Sequence, residues 1–486
     1  MTLDLGSNPI DALPLVDRDA TAQADLARSG HATPEELLDA AITRIERLNP
    51  ALNALSASTF EAARERARRN TVDGAFAGVP TLLKDLLAYP GQPLGLGSRL
   101  MSGQIAPAGS PYTEALDASG LVVLGKTTTS EFGLVGTTEP LATGKTRNPW
   151  DLSRSTGGSS GGAAAAVASG MVPVAHASDG GGSIRGPSSL CGVFGFKPTR
   201  WRTCTTGLPR DMPLAAMLSE HCISRSVRDS ATWLRVTETG DWPDPLPEAA
   251  DLSANPPRKL RIGFYGVDAF GNMPDEAARA ALEQTITLCR SLGHSLLPVE
   301  GPRFDGRMAA RAVYDIMAMT TSGMVDYLAP GIAPDAAIAC LEPYTLSLIE
   351  HARGLPTPRF VEAAAEIAAS GDMAQRALDD VDVLLSPTLP FTAFPLGTVS
   401  PDCPPQIIRS HFERSAAYTA AASLAGCPAM SVPLFWSAEG LPAGSHFAAR
   451  AGEDALLFQL AFQLESAAPW LPRLSALSRT LACRKS

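Results

Sequence analysis

Residues 156–199 read TGGSSGGAAAAVASGMVPVAHASDGGGSIRGPSSLCGVFGFKPT, and no other stretch limits the fold as tightly. Two glycine-serine clusters flank an alanine-rich segment and a short apolar run. Glycine-serine runs by themselves make flexible linkers, but AAAAVASG and MVPVAH want burial as helix and strand. Glycine loops that feed a helix can cradle phosphate, yet the block holds neither GxxxxGK[ST] nor GxGxxG after a strand. Residues 157–161 satisfy GxSxG, the pattern of a nucleophile elbow. That reading needs a strand before the serine and an acid and a histidine after it. The stretch 151–155 is polar and loop-like, and none of His176, His221, His294, His351, His411 and His446 sits in a compelling context.

A fourth reading uses both clusters. In DGGGSIR (179–185) the glycines carry no Cβ, so consecutive N–H groups can converge on one point. An oxyanion hole requires such convergence. Ser183 would then be a nucleophile beside its own oxyanion hole, and Ser159 or Ser160 could relay its proton. The missing base can be a buried lysine, because desolvation lowers its pKa and leaves a neutral amine.

Around the block, strand-like runs at 121–126, 171–176, 259–265, 382–387 and 429–435 alternate with helical periodicity. That alternation predicts an α/β architecture with a mixed, largely parallel sheet between helices. Thr33-Pro34-Glu35-Glu36 reads as a capping box, with Leu37, Leu38, Ala41, Ile42, Ile45 and Leu48 on one helical face. The proline- and acid-rich stretch 240–258 reads as a surface loop or linker. The chain, 1–486, is expected to form one domain, with a helical insertion at about 301–380.

Composition excludes some classes. A formal net charge of -10 and a pI of about 5.3 argue against a nucleic-acid binder, which needs a basic face. No apolar run reaches membrane-spanning length, and 1–19 lacks the basic start and apolar run of a secretory leader, so a cytoplasmic location is expected. The eight cysteines form no CxxC pair and no zinc-ligand spacing, so neither metal nor cofactor is expected. They read as reduced thiols, with Cys191 packing in the core.

With these residues in view, the chain resembles the amidase signature family. GVPTLLKD (78–85), GKTTTSEF (125–132), TRNPWD (146–151), GGSSGGAAAAVASG (157–170) and DGGGSIRGPSSLCGVFGFKPT (179–199) match its motifs in order. The resemblance implies the family's single α/β domain and amide hydrolysis. It implies Lys84 as base, Ser159 on a cis peptide as proton shuttle, and Ser183 as nucleophile. The N–H groups of Gly180, Gly181, Gly182 and Ser183 would form the oxyanion hole. Ser160 would support the relay, and Asp179 with Arg185 would brace the turn as an ion pair. Gly180 stands where the family usually has a larger residue. Late in the chain Ser423 and His446 replace an asparagine and a glutamine that the family often shows. TTEPLATGKTRNPWDLSRSTGGSSGG and LESAAPWLPRL look most like nylon-oligomer cyclic-dimer hydrolases within the family.

The glutaminase subunit of an aminoacyl-tRNA amidotransferase shares the motifs and is the alternative. However, RWRTCTTGLPRDMPLAAM follows KPT, where that subunit type has a more stereotyped glycine-serine-aspartate run. A catalytically dead scaffold is opposed by the presence of Lys84, Ser159 and Ser183. For the substrate, the stretch 306–327 carries four of the 12 methionines, and Tyr314, Met317 and Met324 share a helical face. Such a stripe ordinarily packs on the core. The sharper expectation is that Met317 and Tyr314, with Trp201 and His446, line a pocket for a small neutral amide. The nature of that amide and the oligomeric state, a homodimer included, stay open.

Overall fold

The computed structural model describes residue 15 and residues 18–69, 73–330 and 333–483. The stretch 1–14, expected to lack a leader, lies outside them. Short apolar runs punctuated by glycine and proline form the strands of one sheet, and the longer periodic segments form the helices that cover it. In chain order the strands are β1 (Leu55–Ser58), β2 (Pro80–Lys84), β3 (Val122–Thr127), β4 (Val174–Asp179), β5 (Phe194–Lys197) and β6 (Ser219–Ser224). They continue with β7 (Arg261–Phe264), β8 (Ser295–Pro298), β9 (Val383–Pro387), β10 (Ala429–Trp436) and β11 (Pro442–Ala449). Among the described residues they make an 11-stranded sheet in the order β1-β3-β2-β4-β6-β5-β10-β11-β9-β7-β8.

The sheet is mixed, but the expectation that it is largely parallel needs correction. Parallel ladders join β2 to β3 and β4, and β7 to β8 and β9. The centre, from β4 through β6, β5, β10 and β11 to β9, is antiparallel, as is the β1–β3 edge. For one of these pairs the reason is connection length. β10 and β11 are joined by 437–441, too short for the crossover that a parallel neighbour needs. The five apolar runs found in the sequence are β3, β4, β7, β9 and β10; the remaining strands are shorter or more polar.

Helix starts follow local chemistry. At Pro34–Leu52 the Thr33 hydroxyl accepts from Glu36 N at 3.1 Å, and the Glu36 carboxylate accepts from Thr33 N at 2.7 Å. Leu37, Leu38, Ala41, Ile42, Ile45 and Leu48 of this helix are all buried. Helix Gly161–Ser169 is buried on every side, which explains its composition. A Cβ on Gly162 would meet Ala54 O at 2.5 Å and Thr128 N at 2.6 Å, so only the smallest residues fit. The stretch 240–258 departs from the loop reading. It holds a short helix, Ala249–Ala254, and Leu246 and Leu252 pin it to the main core.

Residues 301–380 contain helices Gly306–Leu328, Pro334–Cys340, Pro343–Gly354 and Arg359–Arg376, with no strand among those described. The first of them packs on the third and the fourth. No helix among the described residues is long and apolar enough to cross a membrane.

Candidate active site

β2 and β4 lie side by side and parallel, with Thr81 opposite Val174 and Leu82 opposite Ala175. Their carboxyl ends therefore emerge together, the usual place for a site in an α/β sheet. Lys84 ends β2 and is wholly buried. Its Nζ lies 2.8 Å from Ser159 Oγ, 3.0 Å from Ser178 Oγ and 3.4 Å from Ser178 O. Burial lowers the Lys84 pKa to about 7, against the opposing pull of Glu220 and Asp179. Near neutral pH this amine is thus partly uncharged, and it touches a hydroxyl.

Ser178 and His176 stand two residues apart on β4 and so share a face. His176 Nδ1 accepts the Lys84 backbone N–H at 3.3 Å, which leaves Nε2–H to donate to Glu220 at 2.8 Å. Burial lowers the His176 pKa, while Glu220 pulls the other way.

Ser159 comes from the loop ahead of helix Gly161–Ser169, and the Gly158–Ser159 peptide is cis. Glycine is required beside it: a Cβ on Gly158 would lie 2.4 Å from Thr137 O. Thr138 Oγ1 donates to Gly157 O at 2.9 Å. Ser160 Oγ donates to Ser178 O at 3.2 Å, and Ser160 N donates to Ser183 O at 3.3 Å. Ser160 thereby ties the Ser159 loop to both β4 and the Ser183 turn.

That turn leaves β4 at Asp179, runs through the three glycines and enters helix Arg185–Cys191. Asp179 and Arg185 are both fully buried and paired through two contacts of 2.9 Å. The Asp179 carboxylate also accepts from Gly182 N (2.7 Å), Ile184 N (3.1 Å) and Arg185 N (3.3 Å). Burial disfavours its charge, but Arg185 and these donors outweigh burial and hold its pKa well below the usual carboxylate range. The remaining Arg185 donors reach Thr419 O at 2.8 Å, Ser423 Oγ at 3.0 Å and His446 Nε2 at 2.9 Å. Thr419 Oγ1 donates to Gly181 O at 2.5 Å. Of the four N–H groups expected to converge, that of Gly182 is therefore committed to Asp179, and Gly180, Gly181 and Ser183 remain as candidates.

Ser183 is partly exposed and borders a cleft shared with Gly157, Gly158, Gly181 and Gly182. The rest of the wall comes from Leu190, on the helix that follows Ser183, and from a distant part of the chain: Leu389, Phe391, Phe412, Ser415 and Ala416. The expected pocket residues go elsewhere. Met317 is buried among Leu134, Tyr344, Leu348 and Val399 and packs in the core. Tyr314 lies under the Arg409 guanidinium at 3.9 Å and beside His351. His446 sits behind the turn on Arg185. Trp201, at a φ of 65°, lines a second cleft with Leu218 and Glu220.

Residues that sequence reasoning missed are Ser178, His176, Glu220, Thr419 and the cleft wall. The period-2 rule along β4 could have placed His176 and Ser178 on the Lys84 side. The others carry no local signal.

Comparison with known proteins agrees with this architecture. The family model described as Amidase matches residues 36–458. A putative amidase, AmiC, of Mycobacterium bovis is 34% identical over 461 residues, spanning 94% of this chain and 96% of its own. The solved structure of 6-aminohexanoate cyclic dimer hydrolase complexed with substrate matches with a TM-score of 0.88 and 32% identity, over 95% of this chain and 99% of that one. A bacterial aryl acylamidase of the amidase signature family matches with a TM-score of 0.86 and 27% identity, over 97% of this chain and 100% of that one. A family match over most of the chain, built on a site that joins a buried lysine to a serine, makes this protein a member of the amidase signature family and an amide hydrolase.

Proposed function

We propose that the enzyme hydrolyses small, neutral, largely apolar amides through an acyl-enzyme on Ser183. The observation that carries this reading is the buried Lys84 Nζ, 2.8 Å from Ser159 Oγ, with its pKa lowered to about 7. Neutral Lys84 draws the Ser159 proton, and Ser159 draws that of Ser183 as its Oγ attacks the carbonyl carbon. The N–H groups of Gly180, Gly181 and Ser183 receive the developing oxyanion. Ser159 then returns a proton to the leaving nitrogen, the C–N bond breaks, and water releases the acid by the reverse relay. Asp179 and Arg185 hold the turn and take no part in proton transfer.

The substrate class is argued from the cleft, whose side chains are aliphatic, aromatic or hydroxylic and none of which is charged. The relatives named for a cyclic amide and for aryl acylamides are consistent with it. The test compares an apolar anilide and a cyclic amide with glutamine, in wild type and in Ser183→Ala, Ser159→Ala and Lys84→Ala. The apolar amides should be preferred. Ser183→Ala should abolish acyl-enzyme formation, and the other two should lose several orders of magnitude. Double variants should be little worse than the worst single one, because a relay is not additive. The wild-type rate should rise through pH about 7 as Lys84 loses its proton. Near-normal turnover by Ser183→Ala would end this reading, and a preference for glutamine would favour the glutaminase.

A further inference from the structure

The Ser183 cleft has one polar feature that the reaction does not use. Helix Pro405–Ala416 presents Ser415 to it, across from Gly136. The Ser415 Oγ is buried and has no hydrogen-bond partner. A buried hydroxyl left unpaired is costly, so such a group calls for a function. One helical turn earlier, on the same face, stands His411. Its ring is stacked on Phe391 at 5.4 Å and edge-on to Phe394 at 4.8 Å, and its Nε2 is likewise buried and unpartnered. Burial, with Arg414 adding to it, lowers the His411 pKa to about 4, so the ring is neutral at ordinary pH. Gly136 keeps the approach open: a Cβ there would come within 3.1 Å of Ser415 Oγ and 3.8 Å of His411 Cδ2. The rest of that wall, Leu190, Leu389, Phe391, Phe412 and Ala416, offers no hydrogen bond from a side chain.

We propose that Ser415 is a specificity-determining residue whose hydroxyl pairs with a second, uncharged hydrogen-bonding group on the substrate, such as a carbonyl or carboxamide remote from the scissile bond. This rests on the Ser183 amidase reading and narrows its substrate class to neutral amides that are apolar along their length and polar at one further point. A site with a polar atom to satisfy rejects an analogue lacking the matching group, because its own hydroxyl then stays unpaired.

The experiment measures kcat/KM for two pairs of near-isosteric amides in wild type, Ser415→Ala and Ser415→Thr. In one pair the acyl chain ends in either an ethyl group or a carboxamide; in the other the amine side carries the same exchange. Wild type should favour the carboxamide member of one pair by about tenfold, the worth of one neutral hydrogen bond. Ser415→Ala should erase that preference, bringing the kcat/KM ratio within each pair close to one, and Ser415→Thr, which keeps the hydroxyl, should retain a preference. Loss of rate on both members alike in Ser415→Ala, or no preference in either pair in wild type, would overturn this proposal alone. Failure of wild type to hydrolyse any of the four amides would instead overturn the parent reading.

Discussion

Replacing Arg185 by leucine should be the most damaging single change behind the Ser183 turn. The arginine is fully buried, and its planar fork meets both Asp179 oxygens at 2.9 Å. Leucine fills part of the volume but leaves the Asp179 charge with only three backbone N–H donors, and leaves Thr419 O, Ser423 and His446 without their cation. Removing one partner of a buried pair costs about 3–5 kcal/mol, because the orphaned charge stays out of water. Since 1.4 kcal/mol is tenfold, the unfolding constant should rise by roughly two to three and a half powers of ten. Urea unfolding followed by tryptophan fluorescence reads this directly. Arg185→Lys should lose less, because it keeps the charge while losing the fork. Arg185→Leu combined with Asp179→Leu should cost less than the sum of the two single changes, because no charge is then stranded.

The same pair sets an acid limit. The folded Asp179 pKa is depressed below the unfolded value of about 3.9, so its contribution is complete above that pH and drains away as pH falls through the folded value. A loss under about 1 kcal/mol in Arg185→Leu, or strict additivity with Asp179→Leu, would refute the account.

Three further outcomes follow from the geometry. Glu220→Gln removes a negative charge that raises the Lys84 pKa, so the acid limb of the rate profile should move to lower pH; an unmoved or alkaline-shifted limb would mean that Glu220 does not act on the lysine. Gly162→Ala should destabilise by about 1–3 kcal/mol through overpacking, since its Cβ would lie 2.4 Å from Thr128 Oγ1. Gly323→Ala should stabilise by up to about 1 kcal/mol, because that helical position has open space around it; chemical denaturation of the two variants checks both signs.

Sequence by itself determined the parts of this protein whose cause is local. The capping box at Thr33 was legible because its partners are three residues apart. The glycine-serine block was legible because a tight turn and close backbone contact demand the absence of Cβ, and that demand is written as glycine wherever it occurs. Asp179 and Arg185 are six residues apart on one turn, so their pairing could be read as well. Lys84 was reachable only through its resemblance to a known motif, since Ser159 is 75 residues away along the chain. Strand direction in the centre of the sheet was misjudged because apolar runs report burial and not the sense of the neighbouring strand.

Tertiary structure alone decided the cleft. Its glycines other than Gly136 come from the block, but Phe391, Phe412 and Ser415 arrive from the far end of the sequence, on segments packed there by their own cores. Periodicity shows that a face is buried without showing against what, so it left both core and pocket open for the face of Met317, and the tertiary structure buries that residue in the core. The commitment of the Gly182 N–H to Asp179 likewise depends on where a carboxylate points, which composition and spacing do not encode. Contacts between residues near in the chain follow from covalent geometry, whereas those across the fold exist only once the whole sheet has packed.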